Sequence, residues 1–507
     1  MVDRLKISPL SSLTLGAVAG YYGFHLIYGR DSRAGIIFFC VFIAFALISF
    51  FRVLSRGGGA GGMDCGVLIA PEKVRFFHRR GLDIIALSVG FVLGIGANGS
   101  IPRNISLGLP PERVTALQGT LLDDPRALSS GTGMSYLKLE KSAGKGGVRT
   151  SAKGKVLVFF PEQTIPTLKD FGRGSGVYVE GIFRNQEDLL FSASAVHVTR
   201  PASALEQFRT GLRLELTRRF VTPRNPWGGM ALALLLGIRD NLDSDLARAY
   251  RDAGSSHVLS LSGMHLAVLS ALIAFILKRP LGLKASSFVG AVFIILYVFL
   301  VGSQPSLTRS AIMYLLGVLA VFGALPRDPV SLLSLSFLVQ IVWKNDSGLA
   351  ISFILSYLAL WGILRVGEAI HELWRGKIPE LFLSPLTASL GAFVATAAVS
   401  VYYFNTLRPI GIVAGLLIVP LTTVFMIGAL IYLALSFCIP ALTAPLGMGL
   451  SFLYRILDAL VSFAARAPGL NHPGFIPILA VSVGLSALLI YLEHRRRALR
   501  SRLAPLP

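Results

Sequence analysis

Long apolar runs, separated by short polar segments, make up most of this chain of 507 residues. Most of them approach the roughly 20 residues that a helix needs to cross a hydrocarbon core of about 30 Å. The pattern predicts about 11–12 membrane spans, at 10–29, 34–51, 81–99, 257–277, 285–304, 307–325, 329–343, 347–364, 381–405, 409–438, 441–465 and 475–492. Two runs leave alternatives open. The charge-free run 409–438 is one span or a hairpin broken at Pro420, and 441–465 spans or lies in the interface.

The hydrophobic period changes between residues 101 and 200, where apolar and polar positions alternate over short stretches. A period of two is typical of strands. The predicted strands are 113–122, 134–141, 154–160, 176–184 and 189–198, with turn signals such as Asp123-Asp124-Pro125 between them. Five short strands favour a small all-β domain of the OB-like barrel type, and a fragment of a β-sandwich is the alternative.

Residues 201–255 are predicted to form amphipathic and interfacial helices. The first helix is basic, a pattern typical of helices that lie along a membrane surface. Its apolar face carries Leu205, Phe208, Leu212 and Leu216. The apolar run Trp227–Ile238 is too short to span comfortably, which indicates an interfacial or re-entrant segment. Leu242–Arg251 forms a second amphipathic helix, capped by Asp243 or Ser244.

The predicted fold class is a polytopic α-helical membrane protein with an external small all-β domain inserted after the third span. Its four parts are a three-span segment, the β domain, the interfacial helices and a helical core, at residues 1–100, 101–200, 201–255 and 256–507. Composition supports this interpretation. With 53% hydrophobic residues, 15% charged residues and a mean hydropathy of +0.66, the chain is too apolar for a soluble protein of this length.

Positive charge predicts the orientation of the chain. Basic residues concentrate in the loop 52–80 and in the tail around Arg495–Arg497, and the positive-inside rule places both in the cytoplasm. Both termini are therefore predicted to be cytoplasmic and residues 101–200 external, in the inner (cell) membrane. The first apolar run lacks a small-residue cleavage site, which indicates an anchor. The net charge of +21 also fits contact with anionic lipid, nucleic acid or both.

Polar side chains interrupt the run 257–277, which contains no Lys, Arg, Asp or Glu. His257 and His265 are a little over two helical turns apart, which predicts both rings on one side of a single helix. Such a polar stripe either lines a passage or packs between helices, since polar groups facing lipid are costly. Arg309 either reaches the outer interface or offers a fixed cation to an anionic substrate. The predicted channel-lining residues are His257, Ser260, Ser262, Gly263, His265, Gln304, Arg309 and Asn405.

A basic stretch between residues 138 and 155 is the candidate nucleic-acid contact of the β domain. Interspersed Ser, Gly and Ala predict a mobile loop between strands. The candidate residues are Lys138, Lys141, Lys145, Arg149, Lys153 and Lys155. A solvated run of charge is the alternative, because the stretch lacks the interleaved aromatics of a base-stacking surface.

Enzyme chemistry is not predicted. The sequence has no paired carboxylates, nucleophile elbow, metal-ligand spacing or Gly-x-x-x-x-Gly-Lys-Ser/Thr motif, so no catalytic residue, metal or cofactor is assigned. Its three cysteines are an odd, widely spaced set, which argues against a disulfide scaffold. A force that pulls a substrate through the membrane would therefore come from another protein.

Several motifs follow one another along the core: Leu234-Leu235-Leu236-Gly237-Ile238-Arg239-Asp240, Ser256-His257…Ser262-Gly263-Met264-His265, Pro305…Arg309, Asp328-Pro329, Ser352-Phe353-Ile354-Leu355-Ser356-Tyr357, Tyr402-Tyr403-Phe404-Asn405…Pro409-Ile410-Gly411 and Ile418-Val419-Pro420-Leu421. With them, residues 226–492 resemble the membrane core of the ComEC family of competence DNA-uptake proteins. The β domain resembles that family's amino-terminal domain at Gln118-Gly119-Thr120 and Asp123-Asp124-Pro125. The resemblance implies an inner-membrane channel that passes single-stranded DNA inward during natural transformation.

Departures from the family pattern qualify this expectation. Ile354 stands where the family often has Gln, and a Gln near Phe393 and an Asn near Gly415 are absent, so a thinner polar lining is expected. No His-x-His-x-Asp-His signature of the family's metallo-β-lactamase-like domain occurs. The implied partners are single-stranded DNA, membrane lipid, an external DNA receptor, a separate nuclease and a cytoplasmic DNA-pulling ATPase, with a homodimer left open. The alternative function is a small-solute transporter of the inner membrane that takes no part in DNA uptake.

Overall fold

The computed structural model describes residues 9–28, 89–98, 105–128, 131–144, 148–185, 190–223, 225–302, 304–325 and 327–503. The predicted span 34–51, the basic loop 52–80 and Lys145 lie outside the described residues. Helix α1 (Pro9–Tyr28) matches the first predicted span, and α2 (Val89–Asn98) covers the end of the third.

A closed β-barrel follows. Its strands are β1 Val114–Leu121, β2 Arg126–Ala127, β3 Gly133–Gly144, β4 Arg149–Ser151, β5 Lys155–Phe160, β6 Gly176–Asn185 and β7 Leu190–Arg200. Helix α3 (Ile165–Phe171) connects β5 to β6. Strand β1 pairs with β3 and β6, β3 with β5, β5 with β7 in parallel, and β7 with β6, so these five strands close on themselves. Alternate residues point inward and are fully buried, among them Leu117, Leu137, Val158, Val177 and Phe191.

The predicted mobile loop between residues 138 and 155 was wrong over most of its length. Strand β3 continues to Gly144 and pairs with β4 through Lys141 opposite Ser151. The strand continues because β3 pairs with β1 and β4 here, and Leu139 and Ala143 are buried while Lys138 and Lys141 stay exposed. The buried Ser142 hydroxyl also bonds that of Thr150 at 2.8 Å. The strand pairing therefore persists through a stretch whose composition resembles a loop.

Four short helices link the barrel to the bundle: α4 Ala204–Phe220, α5 Gly228–Leu236, α6 Ser244–Asp252 and α7 Ser256–Leu259. Asp243 caps α6, as predicted, because its carboxylate accepts the N–H of Asp245 at 2.8 Å. Every residue of α5 is buried, so this run lies inside the bundle, as a re-entrant segment does. The buried face of α4 differs from the predicted apolar face. Arg209 is buried at 1% exposure, whereas Phe208 of the predicted apolar face is 68% exposed.

The remaining helices form the bundle: α8 Gly263–Val301, α9 Pro305–Phe322, α10 Pro329–Trp343, α11 Ile351–Gly362, α12 Glu368–Trp374, α13 Glu380–Phe404, α14 Ile410–Cys438, α15 Thr443–Ala465 and α16 Phe475–Leu503. Strands β8 (Thr406–Leu407) and β9 (Leu470–Asn471) form a small separate ribbon. A backbone break at Gly282, with φ of 75°, divides α8 into the two predicted spans. A π turn at Ile363–Gly367 joins α11 to α12.

Six helices among the described residues are long and apolar enough to cross a membrane: Gly263–Val301, Pro305–Phe322, Ile351–Trp374, Glu380–Phe404, Ile410–Cys438 and Pro440–Ala465. The chain is therefore a polytopic helical membrane protein with a separate small β domain early in its sequence. Residues 410–438 are one helix despite Pro420, and not a hairpin. Large apolar side chains such as Phe275 (82% exposed) and Phe452 (68% exposed) lie on the outer surface of the bundle, where lipid would cover them.

Candidate functional site

The first turn of α8 holds Ser262 and His265. Ser262 adopts an extended conformation before the helix, and its backbone N–H donates to Nδ1 of His265 at 3.2 Å. The Ser262 hydroxyl lies 3.1 Å from the same nitrogen. Because Nδ1 accepts, the ring proton of a neutral His265 is on Nε2, and this buried atom has no hydrogen-bond partner among the described residues.

The two predicted histidines do not share a helix face. His257 belongs to α7, and the chain is extended at Ser260 and Ser262 before α8 begins. His257 is exposed, whereas His265 is fully buried. The prediction of one continuous helix from residue 257 was wrong because the helix-capping contact of Ser262 starts a new helix at Gly263.

Arg309 lies beside this turn. Its side chain is in the second turn of α9 and is only 7% exposed. Its Nη2 donates to the Ser310 hydroxyl at 3.2 Å, and its guanidinium lies 5.8 Å from the ring centroid of Tyr357. A side chain at Gly263 would place its Cβ 2.6 Å from the Ser310 oxygen and 3.0 Å from Arg309 Nη2. Gly263 therefore allows α8 and α9 to approach closely at the arginine.

Hydrogen bonds extend the polar region onto α10 and α11. The Tyr357 hydroxyl donates to the side-chain amide oxygen of Gln340 at 3.0 Å. The side-chain amide nitrogen of Gln340 donates to the Pro305 backbone carbonyl at 3.1 Å. Ser356 donates to the Ser306 hydroxyl at 3.1 Å. We call the set the polar cluster; it contains Ser262, His265, Arg309, Ser310, Gln340 and Tyr357. Neither Gln340 nor Tyr357 is among the predicted lining residues, and in the sequence Tyr357 looks like an ordinary core aromatic.

The other predicted lining residues have different surroundings. The Ser260 hydroxyl donates to the His257 carbonyl at 2.8 Å. Gln304 precedes α9, and its amide faces Gly237 at the end of α5. Asn405 ends α13 in a left-handed conformation (φ of 52°), and its carbonyl accepts the His472 N–H at 2.7 Å. The structure records no contact between Asn405 and the polar cluster within the part of the chain that it describes.

The barrel attaches to the bundle at the same end as the polar cluster. Arg209 donates to both carboxylate oxygens of Asp124 at 3.0 and 2.6 Å and to the Phe299 carbonyl at 2.8 Å. Arg213 donates to the Leu300 carbonyl at 3.0 Å, and Asp240 pairs with Lys169 of the barrel at 2.6 Å. These contacts place the barrel over the ends of the helices where α8 finishes and α9 begins. The sequence had indicated only a turn at Asp124.

The candidate nucleic-acid residues of the barrel that the structure describes are all exposed: Lys138, Lys141, Arg149, Lys153 and Lys155. Lys138 and Lys155 lie opposite each other on β3 and β5. The Lys155 ammonium lies 3.9 Å from the centroid of the Tyr136 ring, which is also on β3. The barrel surface thus has the exposed aromatic that the predicted loop lacked, because Tyr136 precedes the basic stretch in sequence.

A comparison with family models identifies the membrane part. The model described as "Competence protein" matches residues 234–496, just over half of the chain. The chain belongs to the competence protein family. Membership associates the chain with competence and confirms the predicted resemblance to the ComEC family. The matched region begins at residue 234, within the last turn of α5.

Two relatives are similar to the chain. The chain is 24% identical over 281 residues to "ComE operon protein 3" of Bacillus subtilis (strain 168), which covers 53% of this chain and 34% of the relative. It is also 24% identical over 260 residues to an "Uncharacterized protein" of Aquifex aeolicus (strain VF5), covering 50% of this chain and 60% of that protein. The aligned part thus spans less than two thirds of either relative. No solved structure matches the chain.

Replacing Gly263 with valine is expected to destabilise the bundle by about 1–3 kcal/mol, because the added side chain overlaps Ser310 and Arg309. Thermal unfolding in detergent micelles, followed by tryptophan fluorescence, measures the change. Gly317→Val on α9 is the matched control, because a Cβ at Gly317 meets nothing within 4 Å. Equal stability of the two variants would contradict the close approach of α8 and α9.

Proposed function

We propose that this chain forms the inner-membrane passage through which single-stranded DNA enters the cell during natural transformation. The observation that carries the proposal is the polar cluster, which lies inside the competence-family bundle at the end that the barrel covers. Buried polar groups within a helical bundle are costly, and in membrane proteins they mark substrate pathways. Hydroxyl, amide and imidazole groups form hydrogen bonds with a hydrated phosphate chain without binding it tightly.

The barrel topology supports a nucleic-acid contact. Numbered among themselves, the five closed strands follow the order 1-2-3-5-4-1, with α3 between the third and the fourth. This order supports the proposal of an OB-type barrel, a fold in which the face of the second and third strands contacts oligonucleotides. Here those strands are β3 and β5, which carry Tyr136, Lys138 and Lys155. Lysines contact phosphates and a tyrosine stacks on a base, as in sequence-independent binding of single strands.

The positive-inside arrangement supports an external barrel and cytoplasmic termini. On this orientation the barrel meets DNA first and passes it to the polar cluster beneath. A receptor outside the membrane would deliver the DNA, and a separate nuclease would degrade the strand that stays outside. A cytoplasmic ATPase would pull the transported strand, because the sequence contains no nucleotide-binding loop. Membrane lipid surrounds the bundle, and the net charge of +21 favours its anionic headgroups.

Uptake of labelled DNA by a transformable strain that lacks its own copy of this protein tests the proposal. The wild-type chain is expected to restore uptake, and Lys138→Ser with Lys155→Ser is expected to reduce it by about tenfold, because phosphate contacts are lost. Lys278→Ser with Lys284→Ser removes the same charge from exposed positions around the break in α8 and is the matched control. A wild-type chain that is inserted but restores no uptake would favour the small-solute transporter.

A further inference from the structure

Arg309 is a buried cation without a counter-charge. Its Nε and Nη1 have no hydrogen-bond partner, and no carboxylate forms an ion pair with it anywhere in the described part of the chain. The comparably buried Arg209 differs, because it pairs with Asp124 at 2.6 Å and with Glu206 at 3.5 Å. An unpaired guanidinium inside a membrane bundle is strongly unfavourable. Arg309 therefore lacks the anion with which a buried arginine usually pairs.

The groups around Arg309 favour binding of an anion beside its guanidinium. Its Nη2 lies against Gly263, the first residue of α8, and its own helix α9 begins one turn earlier at Pro305. The N-terminus of a helix carries partial positive charge and N–H groups without an intrahelical partner. Nε2 of His265, which is fully buried and unpartnered, adds another donor in the first turn of α8. The N-terminus of α8 thus meets a guanidinium one turn from the start of α9, and helix N-termini bind phosphate in soluble proteins.

The neighbouring side chains hold Arg309 in position. The Tyr357 ring faces the guanidinium at 5.8 Å, and its hydroxyl is fixed by Gln340, which is itself fixed by the Pro305 carbonyl. Ser310 accepts one N–H and donates its own proton to the Ser306 carbonyl at 3.1 Å. A guanidinium oriented before its ligand arrives loses less entropy when it binds.

We propose that Arg309 binds a phosphodiester group of the passing DNA strand, at an anion site where the N-terminus of α8 packs against the second turn of α9. The proposal rests on the proposed function and adds the chemical group that the passage recognises. A single cation holds one phosphate at a time, so the next phosphate along the strand replaces it, as ions replace one another in a channel. The phosphate of a lipid headgroup has the same chemistry and is the competing source of the ligand.

The experiment uses the full chain in micelles of a maltoside detergent, which contains no phosphate, with dimethyl phosphate as the probe and uncharged trimethyl phosphate as its control. All four tryptophans lie in the helical part, at Trp227, Trp343, Trp361 and Trp374, so their fluorescence follows unfolding of the bundle alone. Dimethyl phosphate is expected to raise the unfolding temperature of the wild type, and trimethyl phosphate is not. Arg309→Gln is expected to raise about tenfold the concentration of dimethyl phosphate needed for this stabilisation. Arg279→Gln, at an exposed arginine near the break in α8, is expected to keep the wild-type response.

Without ligand, the direction in which Arg309→Gln shifts the unfolding temperature distinguishes an anion site from an arginine that stabilises the fold. Removing an unpaired buried cation is expected to raise the unfolding temperature of ligand-free Arg309→Gln above that of the wild type. A lower unfolding temperature would overturn the proposal. So would stabilisation that depends on Arg309 with phosphatidylglycerol but not with dimethyl phosphate, which would assign the site to lipid. The same variants are then compared for DNA uptake, where Arg309→Gln is expected to fail.

The failure of this proposal is distinguishable from failure of the proposed function. If the wild type restores uptake and dimethyl phosphate has no effect on its unfolding, the phosphate site is wrong and the passage stands. If the wild type restores no uptake, the proposed function is wrong, and with it the assignment of this site to DNA. Normal uptake by Arg309→Gln would also overturn the site.

Discussion

Replacing Asp124 with alanine is expected to weaken the attachment of the barrel to the helix bundle by about 3 kcal/mol. Asp124 accepts two hydrogen bonds from Arg209 and lies 3.6 Å from Arg213. Arg209 is 1% exposed, so the alanine variant leaves a buried guanidinium with only the more distant Glu206 as its ionic partner. Because Asp124 itself is 25% exposed, the loss is expected at the low end of the range for buried pairs.

Limited proteolysis of the segment 201–203 between the barrel and α4, at increasing temperature, measures this loss. Asp123→Ala is the matched control, because Asp123 is the neighbouring exposed acid and the structure assigns it no ion pair. Its only recorded contact is made by the backbone carbonyl, which alanine retains. If the two variants are cleaved at the same temperature, the Arg209–Asp124 contact does not hold the barrel. DNA uptake is expected to fall in the Asp124→Ala variant and to stay unchanged in the Asp123→Ala variant.

The pH dependence of the same junction follows from Asp124. Burial alone would raise the pKa of its carboxyl, but the hydrogen bonds from Arg209 and the charges of Arg213 and Arg209 outweigh it and lower the pKa below the ordinary value of 3.8. For a carboxyl with a lowered pKa, the stabilisation is complete above the unfolded value and is lost as the pH falls through the folded value. The junction is therefore expected to survive from neutral pH down to about pH 4.

Replacing Trp227 with alanine is expected to destabilise the bundle by about 3–5 kcal/mol. Trp227 is fully buried just before α5 and contacts the rings of Phe220, Phe425 and Tyr432 at centroid distances of 6.1, 6.2 and 4.9 Å. Its indole N–H donates to the Gly447 carbonyl at 3.2 Å. The side chain thus connects α4, α14 and α15, and its loss leaves a cavity between them.

Chemical unfolding in micelles, followed by circular dichroism, measures the effect, because the variant itself removes a fluorophore. Trp343→Ala is the matched control, since that side chain is 72% exposed. The control is expected to remain within about 0.5 kcal/mol of the wild type. A Trp227 variant as stable as the control would contradict the packing of this side chain between α4, α14 and α15.

Elements with a regular hydrophobic period were predictable from local sequence. The predicted strands 113–122 and 176–184 agree with β1 and β6 within a residue at each end, and 329–343 coincides with α10. Asp243 was predictable as a helix cap because an aspartate before an amphipathic run has a local hydrogen-bonding role. The break near Gly282 was predictable from Lys278 and Lys284, since charges end an apolar run.

The sequence by itself therefore determined the membrane class, the β domain and the positions of most spans, because period and run length are local properties that survive in any packing. Only the tertiary structure decided which polar groups have partners. Arg209 belongs to the helix that the sequence predicted to lie along a membrane surface, yet it is buried against Asp124, which lies 85 positions away. Arg309 looked equally able to reach the interface, yet it is enclosed beside Gly263 and Tyr357. Such contacts join residues that are distant in sequence, and a single chain's local pattern carries no record of which helix packs against which.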